Sequence, residues 1–295
     1  MIVIKRLTLP SPAKINLLLL INGRRADGYH LIQTVFTFID LHDTLTFEKT
    51  ENDSVQLFGD LLGIAQENNL IHKAALKLKS YATKKSGVRI TVEKRIPDGA
   101  GLGGGSSNAA TTLVALNHLW ECNLSLANLM EIALTLGADV PIFLLGHRSF
   151  AEGIGEILTP IDGPEENYLL VFPQQKVPTA EIYADPRLTR DSPAIRIGDL
   201  LETAPKNDFE PAVKARYSKV KEAFDELARF SNARLSGSGS AIFVPFDSIE
   251  NAKIAAKEVS SDLNPILCQG HNVSTMREAA ISAGIVFPEW GVAKW

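Results

Sequence analysis

The stretch PDGAGLGGGSSNAA, residues 97–110, places five glycines between positions 99 and 105 and runs into two serines. It separates VRITVEKRI (88–96) from a helix-like run that starts at Ser106 and reaches about Leu119. In the first segment Val88, Ile90 and Val92 alternate with Arg89, Thr91 and Glu93, which predicts a strand with one open face in an antiparallel or mixed sheet. Glycine at a strand-to-helix junction lets backbone approach a ligand, and the amides of a helix N-terminus suit phosphate oxygens. Three nucleotide-type readings compete. A Walker A loop needs Gly-Lys followed by Ser or Thr, and no Gly-Lys follows these glycines. Gly99, Gly101 and Gly104 do satisfy G-x-G-x-x-G. The dinucleotide fold behind that pattern, however, calls for a strand apolar on both faces and an acid ending a second strand, whereas Glu121 sits at the end of the helix. The third reading is a loop that wraps ATP phosphates with its amides, with Ser106 and Ser107 adding hydroxyls. The remaining alternative is a tight turn without ligand, for which so much glycine is entropically costly.

Outward from the loop, strands are expected near 2–9 and 15–21, then a polar turn at 22–30 built on Asp27-Gly28. QTVFTFIDLHDTLTFEK (33–49) reads as strand with a break near His42-Asp43. Leu70, Ala74, Leu78 and Tyr81 form one stripe of a helix over 69–83, and Ser125 can cap another that ends at Gly137. A glycine-punctuated stretch to about Pro164 suggests a boundary at 155–165. The domains are therefore expected at 1–160 and 161–275, with a divergent, loosely attached tail at 276–295 that ends IVFPEWGVAKW. The second half opens with a strand at 168–172. Val213, Tyr217, Val220, Phe224 and Leu227 then predict one helix near 210–229. A second glycine cluster, LSGSGSAIFVPF (235–246), enters a strand and is followed by a helix near 248–259.

At 295 residues with 45% hydrophobic and 22% charged residues, the chain has an ordinary globular composition and can bury a sizeable core. A formal net charge of −4 without a dense Lys/Arg block argues against a nucleic-acid partner. Cys122 and Cys268 form no metal or disulfide pattern, and the apolar N-terminal run is broken by Pro10, Pro12 and Lys14. The expectation is a protein of the cytoplasm with no membrane partner, either a monomer or a weak homodimer.

PSPAKINLLLLINGRRADGYHLIQTVF (10–36), the glycine stretch, TLGADVPIF (135–143) and LSGSGSAIFV (235–244) resemble, in that order, the signature segments of the GHMP kinase family. The resemblance implies an α+β architecture in two domains: an N-terminal half like the ribosomal protein S5 domain 2 fold and a C-terminal ferredoxin-like α/β sandwich, with the site in the cleft between them. It implies ATP as phosphoryl donor, Mg²⁺ arriving with it, and a small alcohol as acceptor. AKIN followed by RADGYH further implies an acceptor that carries a cytidine diphosphate group, within isoprenoid precursor synthesis.

On this resemblance Lys14 and Asp139 are the catalytic pair. Taken alone, Lys14 reads as a strand-edge residue with its amine in solvent, and Asp139 as a turn residue satisfying local amides. Pro97, Asp98, Gly99, Ala100 and Gly101, then Leu102, Gly103, Gly104 and Gly105, with Ser106 and Ser107, are the expected ATP loop. No dedicated metal ligands are implied; Ser107 is the candidate contact to ATP-bound Mg²⁺. The Asp98 carboxylate would repel phosphate, so it should face solvent or cap the loop, with Lys94 and Arg95 supplying compensating charge. Asn16 shares a strand face with Lys14 and is expected to meet the acceptor, as are Tyr29, His30 and Thr179. Tyr29 and Tyr183 are expected to sandwich the cytosine, and Gly237, Ser238 and Gly239 to line the cleft.

Overall fold

The computed structural model describes residues 6–61, 63–83, 87–200 and 202–287. Its spine is a pair of long antiparallel strands, β1 (Arg6–Arg24) and β2 (His30–Thr50). Gly28, at φ 93°, turns the chain between them, and the Arg25 amide donates to the Tyr29 carbonyl at 2.7 Å. The two strands expected at 2–9 and 15–21 are thus one strand, with residues 1–5 outside the described part. The break expected near His42-Asp43 is a bulge: Pro12 pairs with His42 but Ala13 with Ile39. A second register shift follows between Asn16 and Leu18, so Lys14, Ile15 and Asn16 sit between two bulges, which re-aim side chains.

β3 (Val55–Gly59) runs parallel to β4 (Gly87–Glu93), and β4 runs antiparallel to β2. Val88, Ile90 and Val92 are buried while Arg89 and Glu93 are exposed, as the alternation predicts. A mixed sheet with an open face excludes the dinucleotide reading. α1 (Leu70–Lys79) starts at Asn69, whose side chain accepts from the Ile71 amide, and stops short of Tyr81. α2 (Gly104–Leu119) is buried along Ser107–Leu116; its small residues let sheet and helices pack on every side. Ser125 caps α3 (Leu126–Leu134), and α4 (Val140–Leu145) opens with Pro141 in its first turn. β5 (Ser149–Glu152) pairs with β2 and with β6 (Ile157–Pro160).

The second half contains β7 (Asn167–Val171), α5 (Thr179–Tyr183), α6 (Glu210–Arg216), α7 (Ser218–Leu227) and β8 (Arg234–Leu235). β9 (Ile242–Phe246), α8 (Ile249–Glu258), β10 (Ile266–His271) and α9 (Thr275–Ser282) follow. The antiparallel order β10-β7-β9-β8 is that of a ferredoxin-like sheet. Period-2 alternation divides its faces: Leu169, Val171, Ile242 and Val244 pack with the helices, whereas Tyr168, Leu170 and Phe243 join a core shared with Ile15 and Phe150 of the first half. Gly270 and His271 of β10 also pair with β2, so the two sheets are continuous.

The helix expected over 210–229 is two helices, broken where Tyr217 turns extended (φ −123°, ψ 99°). Val213, Val220, Phe224 and Leu227 nevertheless share one core, and that surviving stripe is why the spacing reads as continuous. The expected tail also begins differently. α9 crosses position 276 and buries Met276 and Ala280 in the first core, on which Ile285 and Phe287 pack; residues 288–295 lie outside the described part. Among the described residues no helix is long and apolar enough to cross a membrane.

Candidate active site

A cavity of about 970 Å³ lies between the two halves, and Lys14 and Asp139 meet in its wall. Lys14 is only 3% exposed, which sets aside the reading of a strand-edge amine in solvent. Its ammonium has three protons, and three acceptors surround it: Asn16 Oδ1 at 2.7 Å, the Gly101 carbonyl at 3.0 Å and Asp139 Oδ2 at 3.5 Å. The Phe36 ring lies below, 5.3 Å from Nζ. Asn16 Nδ2 donates to Thr34 Oγ1 at 2.8 Å, so the amide is oriented with its oxygen on Lys14. Asn16 therefore holds the ammonium, with both ends of its amide engaged.

Asp139 occupies the position before α4, yet its side chain makes no capping hydrogen bond, and it remains 40% exposed. A turn residue satisfying local amides would do the opposite. The Gly137–Pro141 turn thus presents a carboxylate to the cavity whose charged partner, among the described residues, is Lys14.

The glycines of the loop divide by what surrounds them. At Gly101 (φ +77°) a Cβ would lie 2.2 Å from the Ser236 carbonyl, and at Gly103 (φ +73°) 2.8 Å from the Phe143 ring. These two are required by close packing against the second glycine cluster and α4. Gly105 is exposed, with only Leu70 at 3.8 Å, and Gly99 has open space around it. Ala100 and Leu102 point into the core, and neither lines the cavity. The second cluster is laced to the loop: the Ala241 amide donates to the Ala100 carbonyl at 3.1 Å, and Ser236 Oγ to the Gly101 carbonyl at 3.1 Å. Gly237 and Ser238 line the cavity. Gly239 does not; a Cβ there would meet Leu235 at 2.9 Å, behind the wall.

Two expectations about charge need correction. Lys94 does not stand free for phosphate: its ammonium is bound to Asp43, a carboxylate with no exposed surface. Asp43 also accepts from the Arg95 and Ile96 amides, at 2.8 and 2.9 Å, and from Asn108 Nδ2 at 2.9 Å. It thereby anchors the entrance to the loop and the first turn of α2. Ser107 likewise turns inward, fully buried, its Oγ accepting from Ser11 at 2.8 Å. The half-buried hydroxyl at the loop exit belongs to Ser106, so Ser107 is not placed to reach ATP-bound Mg²⁺. Asp98 is exposed, as expected, and together with Gly105, Asn68 and Leu70 lines a second cavity of about 220 Å³; Pro97 is half-buried beside it in sequence.

On the other side of the main cavity the structure revises the aromatic sandwich. Tyr183 is stacked by His30, not Tyr29, with ring centroids 4.5 Å apart and planes at 16°. Tyr29 lines the cavity but is 59% exposed. His30 Nε2 is buried without a hydrogen-bond partner, and burial, followed by the charges of Arg190 and Arg24, lowers the imidazole pKa, so the ring is neutral at pH 7. Burial and then the Asp139 charge push the Tyr183 phenol up to about 12. Thr179 Oγ1 lies 2.6 Å from Ser238 Oγ, tying α5 to the second glycine cluster. Arg24 and Arg190 also line this wall. Arg24, at the end of β1 beside Arg25, and Arg190, in a loop, carry no spacing signal, and sequence reading missed both.

Known proteins resemble this chain in sequence and in fold. Residues 69–147 match the GHMP kinases N terminal domain and residues 191–264 the GHMP kinases C terminal region. A 4-diphosphocytidyl-2-C-methyl-D-erythritol kinase from Pseudomonas paraeruginosa is 47% identical over 271 residues, spanning 92% of this chain and 96% of the relative. The chain is a GHMP kinase. The fold of this kinase superposes on a crystal structure of 4-(cytidine 5'-diphospho)-2C-methyl-D-erythritol kinase with a TM-score of 0.78, at 35% identity over 90% of this chain and 99% of that one. A mevalonate kinase from Methanococcus jannaschii, at 18% identity and a TM-score of 0.67 over 91% of this chain and 98% of its own, shares the fold.

Proposed function

We propose that this kinase transfers the γ-phosphoryl group of ATP to the 2-hydroxyl of 4-diphosphocytidyl-2-C-methyl-D-erythritol, in the non-mevalonate route to isoprenoid precursors. The observation that carries the reading is the Lys14–Asp139 pair, which lies 3.5 Å apart between the glycine loop and the His30–Tyr183 wall. The two relatives named for this acceptor, at 47% and 35% identity, support the choice of substrate.

Phosphoryl transfer asks mainly for positioning and for charge stabilisation around the γ-phosphate. Asp139, free of local amides, accepts the hydrogen bond of the 2-hydroxyl and takes its proton as the new O–P bond forms and the bond to the departing ADP breaks. Lys14, nearly dry and held on three acceptors, orients Asp139 and offsets charge on the transferring group. Loop amides and the start of α2 hold the phosphates, and the 220 Å³ cavity takes the nucleoside. In this division residues 1–160 carry the nucleotide, while 161–275 close the acceptor side. Mg²⁺, arriving with ATP, would supply charge neutralisation for the transferring phosphoryl group. No cluster of three or more His, Cys, Asp or Glu side chains occurs among the described residues, and Ser106 is the loop hydroxyl that would hold the ion.

The test is ADP release with ATP and Mg²⁺ across four acceptors: the cytidylated methylerythritol, methylerythritol itself, mevalonate and homoserine. Turnover confined to the first is expected. Robust turnover of another alcohol would overturn the choice of acceptor.

A further inference from the structure

The charges that line the main cavity are unevenly paired. Lys14 is engaged with Asp139, and Asp27 is engaged with Arg25 at 2.7 Å. Arg24 and Arg190 also line the cavity, and among the described residues neither has a carboxylate partner.

Arg190 is nonetheless rigidly placed. Nη1 donates to the Leu188 carbonyl at 3.0 Å, and Nη2 to the Tyr183 and Asp185 carbonyls at 2.8 and 2.9 Å. A guanidinium has five N–H donors, so Nε–H and one proton of Nη1 remain unassigned. Among the described residues Arg24 uses only Nε, donating to the Gly28 carbonyl at 3.2 Å, which leaves both of its terminal nitrogens without an acceptor there. Both charges bear on His30, whose buried Nε2 is itself unpartnered. Two guanidinium groups and a neutral imidazole, all short of acceptors or donors on one wall, fit a ligand that joins a polar base to a polyanion.

We propose that Arg24 and Arg190 form the subsite for the diphosphate bridge of the acceptor, with Arg190 also fixing the position of Tyr183 through its carbonyl. The inference rests on the acceptor named above and deepens it: an alcohol without the diphosphate leaves these two charges unanswered, so they discriminate against it. Bidentate, charge-assisted hydrogen bonds from guanidinium to phosphate are the chemistry involved.

The experiment is binding of CDP and of cytidine to the full chain, for wild type, Arg24→Gln, Arg190→Lys and Arg190→Gln, with melting temperatures and KM for ATP measured alongside. Wild type should bind CDP more tightly than cytidine, and raised ionic strength should weaken CDP alone. Arg24→Gln should lose about tenfold in CDP affinity, the scale of one charge-assisted hydrogen bond, with cytidine and the KM for ATP unchanged. Arg190→Gln should lose a similar factor for CDP and weaken cytidine as well, because Tyr183 is released. Arg190→Lys should restore part of the CDP loss by keeping the charge. If CDP keeps its advantage over cytidine in both glutamine variants, the subsite is wrong. Parallel losses for CDP and cytidine in Arg24→Gln would equally overturn it, because they mark a structural effect. The two proposals fail separately. A wild type that turns over no cytidylated acceptor, yet needs both arginines to prefer CDP, sinks the substrate and keeps the subsite. Turnover confined to the cytidylated acceptor, with an unchanged CDP preference in the variants, does the reverse.

Discussion

Gly101→Ala should unseat the loop from the second glycine cluster, whereas Gly105→Ala should leave it seated. At Gly101 the backbone is left-handed, with φ +77°, and the new Cβ would sit 2.2 Å from the Ser236 carbonyl oxygen and 3.1 Å from that of Gly239. These are backbone atoms and cannot rotate aside as a side chain could. The left-handed conformation costs an alanine about 1–2 kcal/mol, and relieving the clash by a backbone shift costs another ~1–3 kcal/mol. A loss of about 2–5 kcal/mol corresponds to roughly 3–8 °C in melting temperature for a chain of this size. The shift would also disturb the Gly101 carbonyl, which accepts from Lys14 and from Ser236, so turnover should fall with stability. At Gly105 the Cβ would find only Leu70 Cδ1 at 3.8 Å within the first turn of α2, where alanine is preferred to glycine by about 0.5–1 kcal/mol. Thermal unfolding of both variants and their KM for ATP are the assay. Gly105→Ala should keep or slightly raise the melting temperature, and any loss should appear in the KM. A Gly101→Ala protein as stable as wild type would refute the packing reason for that glycine.

Two further outcomes follow from the site. His30 has a folded pKa below its ordinary 6.5, so it is neutral in the folded protein and protonation is resisted. The stability this contributes is present above pH 6.5 and lost as pH falls through the folded value. A pH profile of kcat/KM for the acceptor should therefore stay level down to about 6.5 and decline below it, and a decline centred above 6.5 would contradict the burial argument. For the second, Asp43→Asn strips the carboxylate from a buried pair and should destabilise by roughly 3–5 kcal/mol in urea unfolding. Adding Lys94→Met should recover a substantial share, and simply additive losses would show that the two charges are not coupled.

Motifs and periodicity made much of the fold legible. The alternation of Val88, Ile90 and Val92, the cap at Ser125 and the strand at 167–171 all depend on local chemistry that a sequence displays. What escaped depends on neighbours distant in the chain. Lys14 looks like a solvent-facing strand residue until Gly101 and Asp139 close over it, and Lys94 looks available until Asp43, 51 positions earlier, takes its charge. Tyr217 keeps its place in a helical spacing while its own backbone breaks the helix. Ser106 and Ser107 are equivalent in sequence, and only the rotation of α2 decides which one turns inward to Ser11. The exchange of Tyr29 for His30 against Tyr183 has the same origin: adjacent residues at the start of a strand face opposite ways.

The transfer chemistry assigned to Asp139 is tested most directly by single-turnover phosphorylation of the cytidylated acceptor with Asp139→Asn, ATP and acceptor both saturating. The carboxylate makes no cap bond and is 40% exposed, so the variant should fold and melt like wild type. Its transfer rate should drop by about 10²–10⁴, the range for removing a positioned general base. A transfer rate close to that of wild type, in a protein of normal melting temperature, would contradict the placement of the chemistry at this pair.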